Sequence, residues 1–257
     1  MMIPRSHPRY RSLMIREKLA DGFRRGLVHE TGLIAHGRGE AFDYLLGERT
    51  LDISLKAEKV ATALLLLAEN PVISVNGNTV ALAGRECVEL SKKIPAKIEV
   101  NLFHRSEERV RRLAEVLRSF GAEEVLGEDA EERIEGLDHP RGICSRDGIY
   151  SADVVLVPLE DGDRCEALIR MGKKVIAIDL NPLSRTSRTA TITIVDNVVR
   201  AIPNMVRWVD ELKREDRERL HELVDGWDNE KYLREVLNRI SKRIKSDQVI
   251  RLDHEPL

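Results

Sequence analysis

Residues 179–198 read DLNPLSRTSRTATITIVDNV and hold the densest set of chemically useful side chains in the chain. Asp179, Asn181, Arg185, Arg188 and several hydroxyls fall in one loop, directly after the apolar run 175–178. A second β-branched run follows and ends in Asp196-Asn197. A loop of this kind, just past the carboxyl end of a parallel strand, is where open α/β sheets bind ligands. Its guanidinium and hydroxyl donors suit phosphate. Its acid suits a ribose or a base, and Asn197 either caps the next helix or reads a base edge. Nucleotide binding is the expectation.

Two other stretches could handle anions. Asn76-Gly77-Asn78-Thr79 follows the first expected strand and opens a helix, so its amides would face an anion. A purely structural turn accounts for it equally well. The dinucleotide fingerprint G-x-G-x-x-[GA] fits poorly there, with Asn at both leading glycine positions. The second stretch is GLIAHGRGEAFDYLLGE, residues 32–48, where Gly37 and Gly39 flank Arg38. Each glycine costs roughly 1 kcal/mol against Ala inside a helix. The pair suggests a bend that presents the Arg38 guanidinium for two-pronged phosphate binding. A helix corner with a surface Arg remains the other reading. Arg16 lies in a basic amphipathic helix with Arg24 and Arg25 and says nothing alone. No nucleophile triad, catalytic carboxylate pair or Walker-type phosphate loop is legible.

The elements that would position these residues alternate. Helices are expected over 12–27, 30–46 (broken) and 51–69. Asn70-Pro71 stops the third, because proline disfavours helix in the residue before it. Strands then fall at 72–75, 97–103, 124–126 (weak), 154–157, 174–178 and 191–195, with helices at 80–92, 106–119 and 164–171 and another opening at Asp196-Asn197. Runs such as VVLVP are apolar on both faces, as buried parallel strands require. The pattern predicts an α/β fold: a Rossmann-like, doubly wound, mostly parallel six-stranded sheet. Residues 1–70 form a helical N-terminal part, 71–212 the core and 213–257 C-terminal helices, all one domain. Apolar stripes on 51–69 and 232–244 exceed what one sheet layer needs and suggest a second copy of the chain as partner.

Composition narrows the classes. The 257 residues carry a formal charge of −2, so a general nucleic-acid binder is not expected and anion sites must be local Arg clusters. Charged residues make up 33% while Gln occurs once, a thermophile-like balance in which ion-pair networks gain importance. Cys87, Cys144 and Cys165 form no C-x-x-C pair and are expected as reduced thiols. The N-terminal MMIPRSHPRYRSLM lacks a signal-peptide core, and the most apolar stretch, 60–68, is too short to span a bilayer. A soluble cytoplasmic protein with no membrane partner is expected.

SHPRYRSLMIREK (residues 6–18), GLIAHGRGEAFDYLLGE and DLNPLSRTSRTATITIVDN together resemble the archaeal phosphopantothenate synthetases, also called 4-phosphopantoate–beta-alanine ligases. The resemblance runs over essentially the whole chain. It implies a homodimeric ligase of coenzyme A biosynthesis that joins 4-phosphopantoate to beta-alanine with ATP and Mg²⁺, releasing AMP and pyrophosphate. The ATP-contacting positions it implies are Arg16, Arg38, Asp179, Leu180, Asn181, Arg185, Thr186, Asn197 and Val198. Substrate phosphate on Asn76, Gly77, Asn78 and Thr79 is a further expectation. Two rivals share the sheet: an NADP-dependent oxidoreductase with Arg105 on the 2′-phosphate, and a non-catalytic nucleotide sensor.

Overall fold

Alternating β-branched runs and amphipathic helices build a parallel sheet with helices on both faces, as the computed structural model shows for residues 3–159 and 161–246. Helices α1 (Tyr10–Arg24), α2 (Glu30–Leu46) and α3 (Asp52–Leu67) precede strand β1 (Pro71–Val75). Helix α4 (Gly77–Lys93), β2 (Lys97–Val100) and α5 (Glu107–Ser119) follow. A short antiparallel ribbon, β3 (Glu132–Arg133) with β4 (Ile143–Cys144), occupies a stretch expected to be irregular. Then come β5 (Val154–Pro158), α6 (Gly162–Arg170), β6 (Lys174–Ile178), α7 (Arg185–Thr189), β7 (Ile192–Ile194) and α8 (Val198–Leu212). Helices α9 (Arg217–Asp225) and α10 (Asn229–Lys245) complete the described chain.

The main sheet has five parallel strands in the order β2-β1-β5-β6-β7, not six. The expected strand at 124–126 contributes a single parallel bridge, Leu126 to Glu99. Of its three residues Glu124 is exposed, Leu126 half-buried and Val125 alone buried. With so little apolar surface to bury, the segment does not propagate a ladder. Strand residues alternate between faces. Ile73, Val75, Leu156, Ile176 and Ile178 join a core with α3, α4 and α8. Val72, Val155, Val157, Val175 and Ala177 pack on the other face with Cys165, Ala167 and Leu168 of α6. The three cysteines are free and buried. No helix among the described residues is long and apolar enough to cross a membrane.

Two expectations about helices change. α2 is continuous through Gly37 and Gly39 rather than broken. His29 caps it by accepting from Thr31 N, and Gly47 ends it with φ 89° in the left-handed region. The apolar stripes from which a second copy is expected are largely covered within the chain. Ile53, Ala57, Ala61 and Leu64 of α3, and Tyr232, Leu233, Val236 and Ile240 of α10, are all buried in the main core, leaving Leu55 and Ile244 exposed.

Strand β7 ends among buried ionisable groups. Glu58 of α3 is fully buried and accepts from Asn204 Nδ2 at 3.2 Å. Burial, then the charge of Asp196, raises its carboxyl to about 9. An acid held protonated in the fold contributes most below its ordinary range, near 4.5. That contribution is lost as pH rises toward 9, because the unfolded chain binds fewer protons than the native one across that window. Glu58→Gln should therefore flatten the loss of thermal midpoint between pH 6 and pH 9. Identical pH profiles for variant and parent would contradict the assignment.

Candidate active site

The order of the sheet switches direction at β1: the chain passes from β1 to β2 on one side and then to β5 on the other. Ligands of open α/β sheets sit at such a switch, beyond the carboxyl ends of the strands. Asn76, after β1, spans the switch. Its Nδ2 donates to the carbonyls of Pro158 and Leu159, at 3.3 and 3.0 Å, and its Oδ1 accepts from Thr79 N at 3.0 Å. Thus Asn76 caps α4 and fastens it to the end of β5. Gly77 and Asn78 form the first turn of α4, where N–H groups have no partner within the helix.

Here lies a cavity of about 390 Å³. Its wall includes Arg38, Gly39, Asn76, Gly77, Asn78, Leu180, Asn197 and Val198. Seven residues of the expected nucleotide and phosphate sets, on α2, the α4 turn, the β6–α7 loop and the start of α8, therefore converge, with Gly39 beside them. The lining also holds Arg109, Arg141, His29, His36 and His104, and among the described residues one carboxylate, Asp161, which Arg141 Nε holds at 2.9 Å. In a chain of net charge −2, this is the local cationic cluster that an anionic ligand needs.

The Arg residues differ in what they already hold. Arg38 is exposed and forms no hydrogen bond or ion pair with the described residues. Arg16 lies outside the lining and grips Glu40, Nε to Oε1 at 2.9 Å and Nη2 to Oε2 at 2.8 Å. Arg185 grips Glu166 in the same way, at 2.7 and 2.9 Å, and also pairs with Asp163. The loop at 179–188 spends most of its donors on itself. Asp179 accepts from Ser184 Oγ at 2.5 Å and from Asn181 N at 2.9 Å. Burial raises the Asp179 carboxyl, against those bonds and the charge of Arg38. Asn181 Oδ1 accepts from Leu183 N at 2.9 Å, and Thr186 is buried. Thr79 is buried too, donating to Asn76 Oδ1 and the Pro158 carbonyl. Arg16, Asp179, Asn181, Arg185, Thr186 and Thr79 do not line the cavity.

Asn197 both caps α8, accepting from Val199 N at 3.2 Å, and is itself held. Its Nδ2 donates to Asp43 Oδ2 of α2 at 2.9 Å. Arg200, one turn along α8, donates to Asp43 Oδ1 at 2.6 Å and to Asp196 Oδ1 through Nε and Nη2, at 2.8 and 2.6 Å. Thr50 Oγ1 closes the set on Asp196 Oδ2 at 2.6 Å. This clasp fixes the Arg38-bearing helix against the start of α8.

Sequence reasoning missed His29, His36, His104, Arg109 and Arg141. The available signal was position: His104 follows the carboxyl end of β2, just where the sheet edge was expected to bind ligands. Attention fell instead on the neighbouring Arg105, whose Nη2 donates to the Gly127 carbonyl at 2.5 Å and which does not line the cavity. The NADP reading loses its support there. Burial holds His36 below the ordinary imidazole range, so it meets a ligand neutral near pH 7.

The fold is thus an α/β protein with an Arg-lined cavity at the switch point of its parallel sheet. The phosphopantothenate/pantothenate synthetase family model matches residues 53–243, and the chain belongs to that family. It is 57% identical over 243 residues to the 4-phosphopantoate–beta-alanine ligase of Thermococcus kodakarensis, covering 94% of this chain and 93% of the relative. The ligase of the same name from Methanosarcina mazei is 55% identical over 244 residues, covering 95% and 96%. That from Methanospirillum hungatei is 54% identical over 243 residues, covering 95% and 98%.

The clasp generates a stability test. Removing one partner of a buried ion pair leaves an uncompensated charge, which costs about 3–5 kcal/mol. Asp43→Ala should lower urea stability by an amount of that order, whereas Arg234→Ala, which breaks the exposed pair with Glu230, should leave the midpoint unchanged. Equal effects of the two substitutions would contradict the clasp.

Proposed function

We propose that this chain condenses 4-phosphopantoate with beta-alanine to 4′-phosphopantothenate at the expense of ATP, a step of coenzyme A biosynthesis. Membership of the ligase family supports the reaction class. The observation that carries the assignment to this cavity is that Arg38 and Arg109 line it with no carboxylate partner among the described residues, where two anionic reactants must meet.

A carboxylate is a poor acylating agent until one of its oxygens becomes a leaving group. Attack of the pantoate carboxylate on the α-phosphorus of ATP forms the acyl-adenylate and expels pyrophosphate. The neutral amine of beta-alanine then attacks the acyl carbon, AMP leaves, and the amine loses a proton. Such chemistry needs orientation and charge neutralisation more than a protein nucleophile. Arg38 is the natural partner of the nucleotide phosphates, being paired with no carboxylate among the described residues. Leu180, Asn197 and Val198 would hold the nucleoside side. The first-turn amides of α4, at Gly77 and Asn78, suit the phosphate of the acid.

The resemblance alone supports Arg16, Asp179, Asn181, Arg185 and Thr186 as ATP contacts. Arg16 and Arg185 would have to leave Glu40 and Glu166 to reach a phosphate. Among the described residues no group of three His, Cys, Asp or Glu is placed to hold a metal ion. Mg²⁺ therefore belongs to this reading as the counter-ion of ATP, and no step is derived through it. A homodimer also belongs to this reading through the resemblance.

Nucleotide analysis after turnover tests the reaction. One AMP and one pyrophosphate should appear per amide formed; stoichiometric ADP and inorganic phosphate without AMP would rule the adenylate route out. The free and the paired guanidinium groups separate the site residues. Arg38→Ala should cost roughly 1.5–3 kcal/mol in ATP binding, the loss of one charge-assisted contact. Near-normal ATP affinity in a folded Arg38→Ala protein would remove Arg38 from the site.

A further inference from the structure

The cavity lining separates into two poles. Arg38, Leu180, Asn197 and Val198 stand toward β6 and β7. His29, His104 and Arg109 stand with the Gly77 turn beyond β1 and β2. Three strand steps separate β2 from β6, about 14 Å at the usual interstrand spacing. The two poles therefore lie at different ends of the cavity.

The second pole is a built unit. The rings of His29 and His104 stack, centroids 3.8 Å apart and planes at 12°. His29 Nδ1 accepts from Thr31 N at 3.3 Å, so a neutral ring carries its proton on Nε2, as a donor. The His104 ring makes no hydrogen bond with the described residues. Arg109 is anchored on two main-chain carbonyls, of Leu27 at 2.9 Å and of His104, and is paired with no carboxylate among the described residues. Its buried Nε has no partner. Gly77 is what lets these parts meet: a Cβ there would lie 2.2 Å from the Leu27 carbonyl oxygen and 3.3 Å from Arg109 Nη2. Burial, then His104 and Arg109, hold His29 below its ordinary range, as expected of a cationic pole without its anion.

We infer that His29, His104 and Arg109 form the subsite for the phosphate of the acid substrate, and so set the preference for the phosphorylated over the unphosphorylated acid. The inference rests on the ligase reading above. The acid carries phosphate and carboxylate at opposite ends of its carbon chain. Phosphate held at this pole directs the carboxylate toward the middle of the cavity, where the α-phosphate of a nucleotide held by Arg38 would stand. Leu82 and Leu102, also in the lining, offer apolar surface to the carbon chain between.

Two substitutions isolate the imidazoles. His104→Ala removes a ring with no hydrogen bond to lose, and His29→Asn keeps a side chain favoured as a helix cap. In the full-length double variant, KM for 4-phosphopantoate should rise on the order of tenfold or more, the loss of contacts to a charged group. KM for ATP should stay unchanged, and the ratio of kcat/KM for phosphopantoate over pantoate should fall. An unchanged phosphopantoate KM, or a rise in ATP KM instead, would overturn the inference. If the parent protein shows no turnover, the ligase reading fails by itself. Calorimetry with 4-phosphopantoate alone then still decides the subsite: binding by the parent that the double variant loses supports it, and equal binding by both overturns it.

Discussion

Arg200 bridges two buried carboxylates, Asp43 and Asp196, and so joins segments that lie far apart in the chain. Neither acid is stable in the interior without that guanidinium, and the guanidinium is three-quarters covered itself. Each additional bond removes a remaining unsatisfied atom: Thr50 and the Asn197 amide on Asp196, and the Asn197 side chain on Asp43. A satisfied network of this kind is rigid because any displacement exposes a charge to a medium that cannot solvate it. Its location makes that rigidity useful. α2 brings Arg38 and His36 to the cavity, α8 brings Asn197 and Val198, and the clasp holds the two helices in fixed relation.

The other wall is held by neutral groups. Asn76 ties α4 to the end of β5, and Asn78 Nδ2 donates to the Gly32 carbonyl of α2 at 2.8 Å. Amides fasten this side because the cavity's charges must stay uncompensated until ligands arrive. The same logic separates the arginines. Arg16 and Arg185 carry their own carboxylates, whereas Arg38 and Arg109 have none among the described residues. In an otherwise slightly acidic molecule, unspent cations mark the site more sharply than total charge does.

Strands β5 and β6 were legible because buried parallel strands are apolar on both faces, whereas β2, KIEV, was legible from its alternation. The weak 124–126 segment was over-read, since its short β-branched signal came without enough surface to bury. The break expected in α2 came from pricing Gly37 and Gly39 locally. Capping at His29 and packing of Leu46 and Phe42 on the core offset that cost. Within the site, Arg38, Asn197 and the Asn76 turn were readable from motif and position. Whether an arginine is free was not readable, because Glu40 lies 24 residues from Arg16 and Glu166 lies 19 from Arg185. The stacking of His29 on His104 depends on strand order, which a single sequence does not carry. The resemblance to the ligase family, visible in three motifs, extends over nearly the full length of the relatives.

The central claim is that the cationic cavity at the β1–β5 switch is where ATP is activated for ligation. A crystal structure of the protein with a non-hydrolysable ATP analogue and 4-phosphopantoate tests it most directly. The account expects the nucleotide between Arg38 and the start of α8, with its α-phosphorus facing the acid's carboxylate across the middle of the cavity. A nucleotide seated elsewhere on the molecule, with Arg38 still facing solvent, would contradict it.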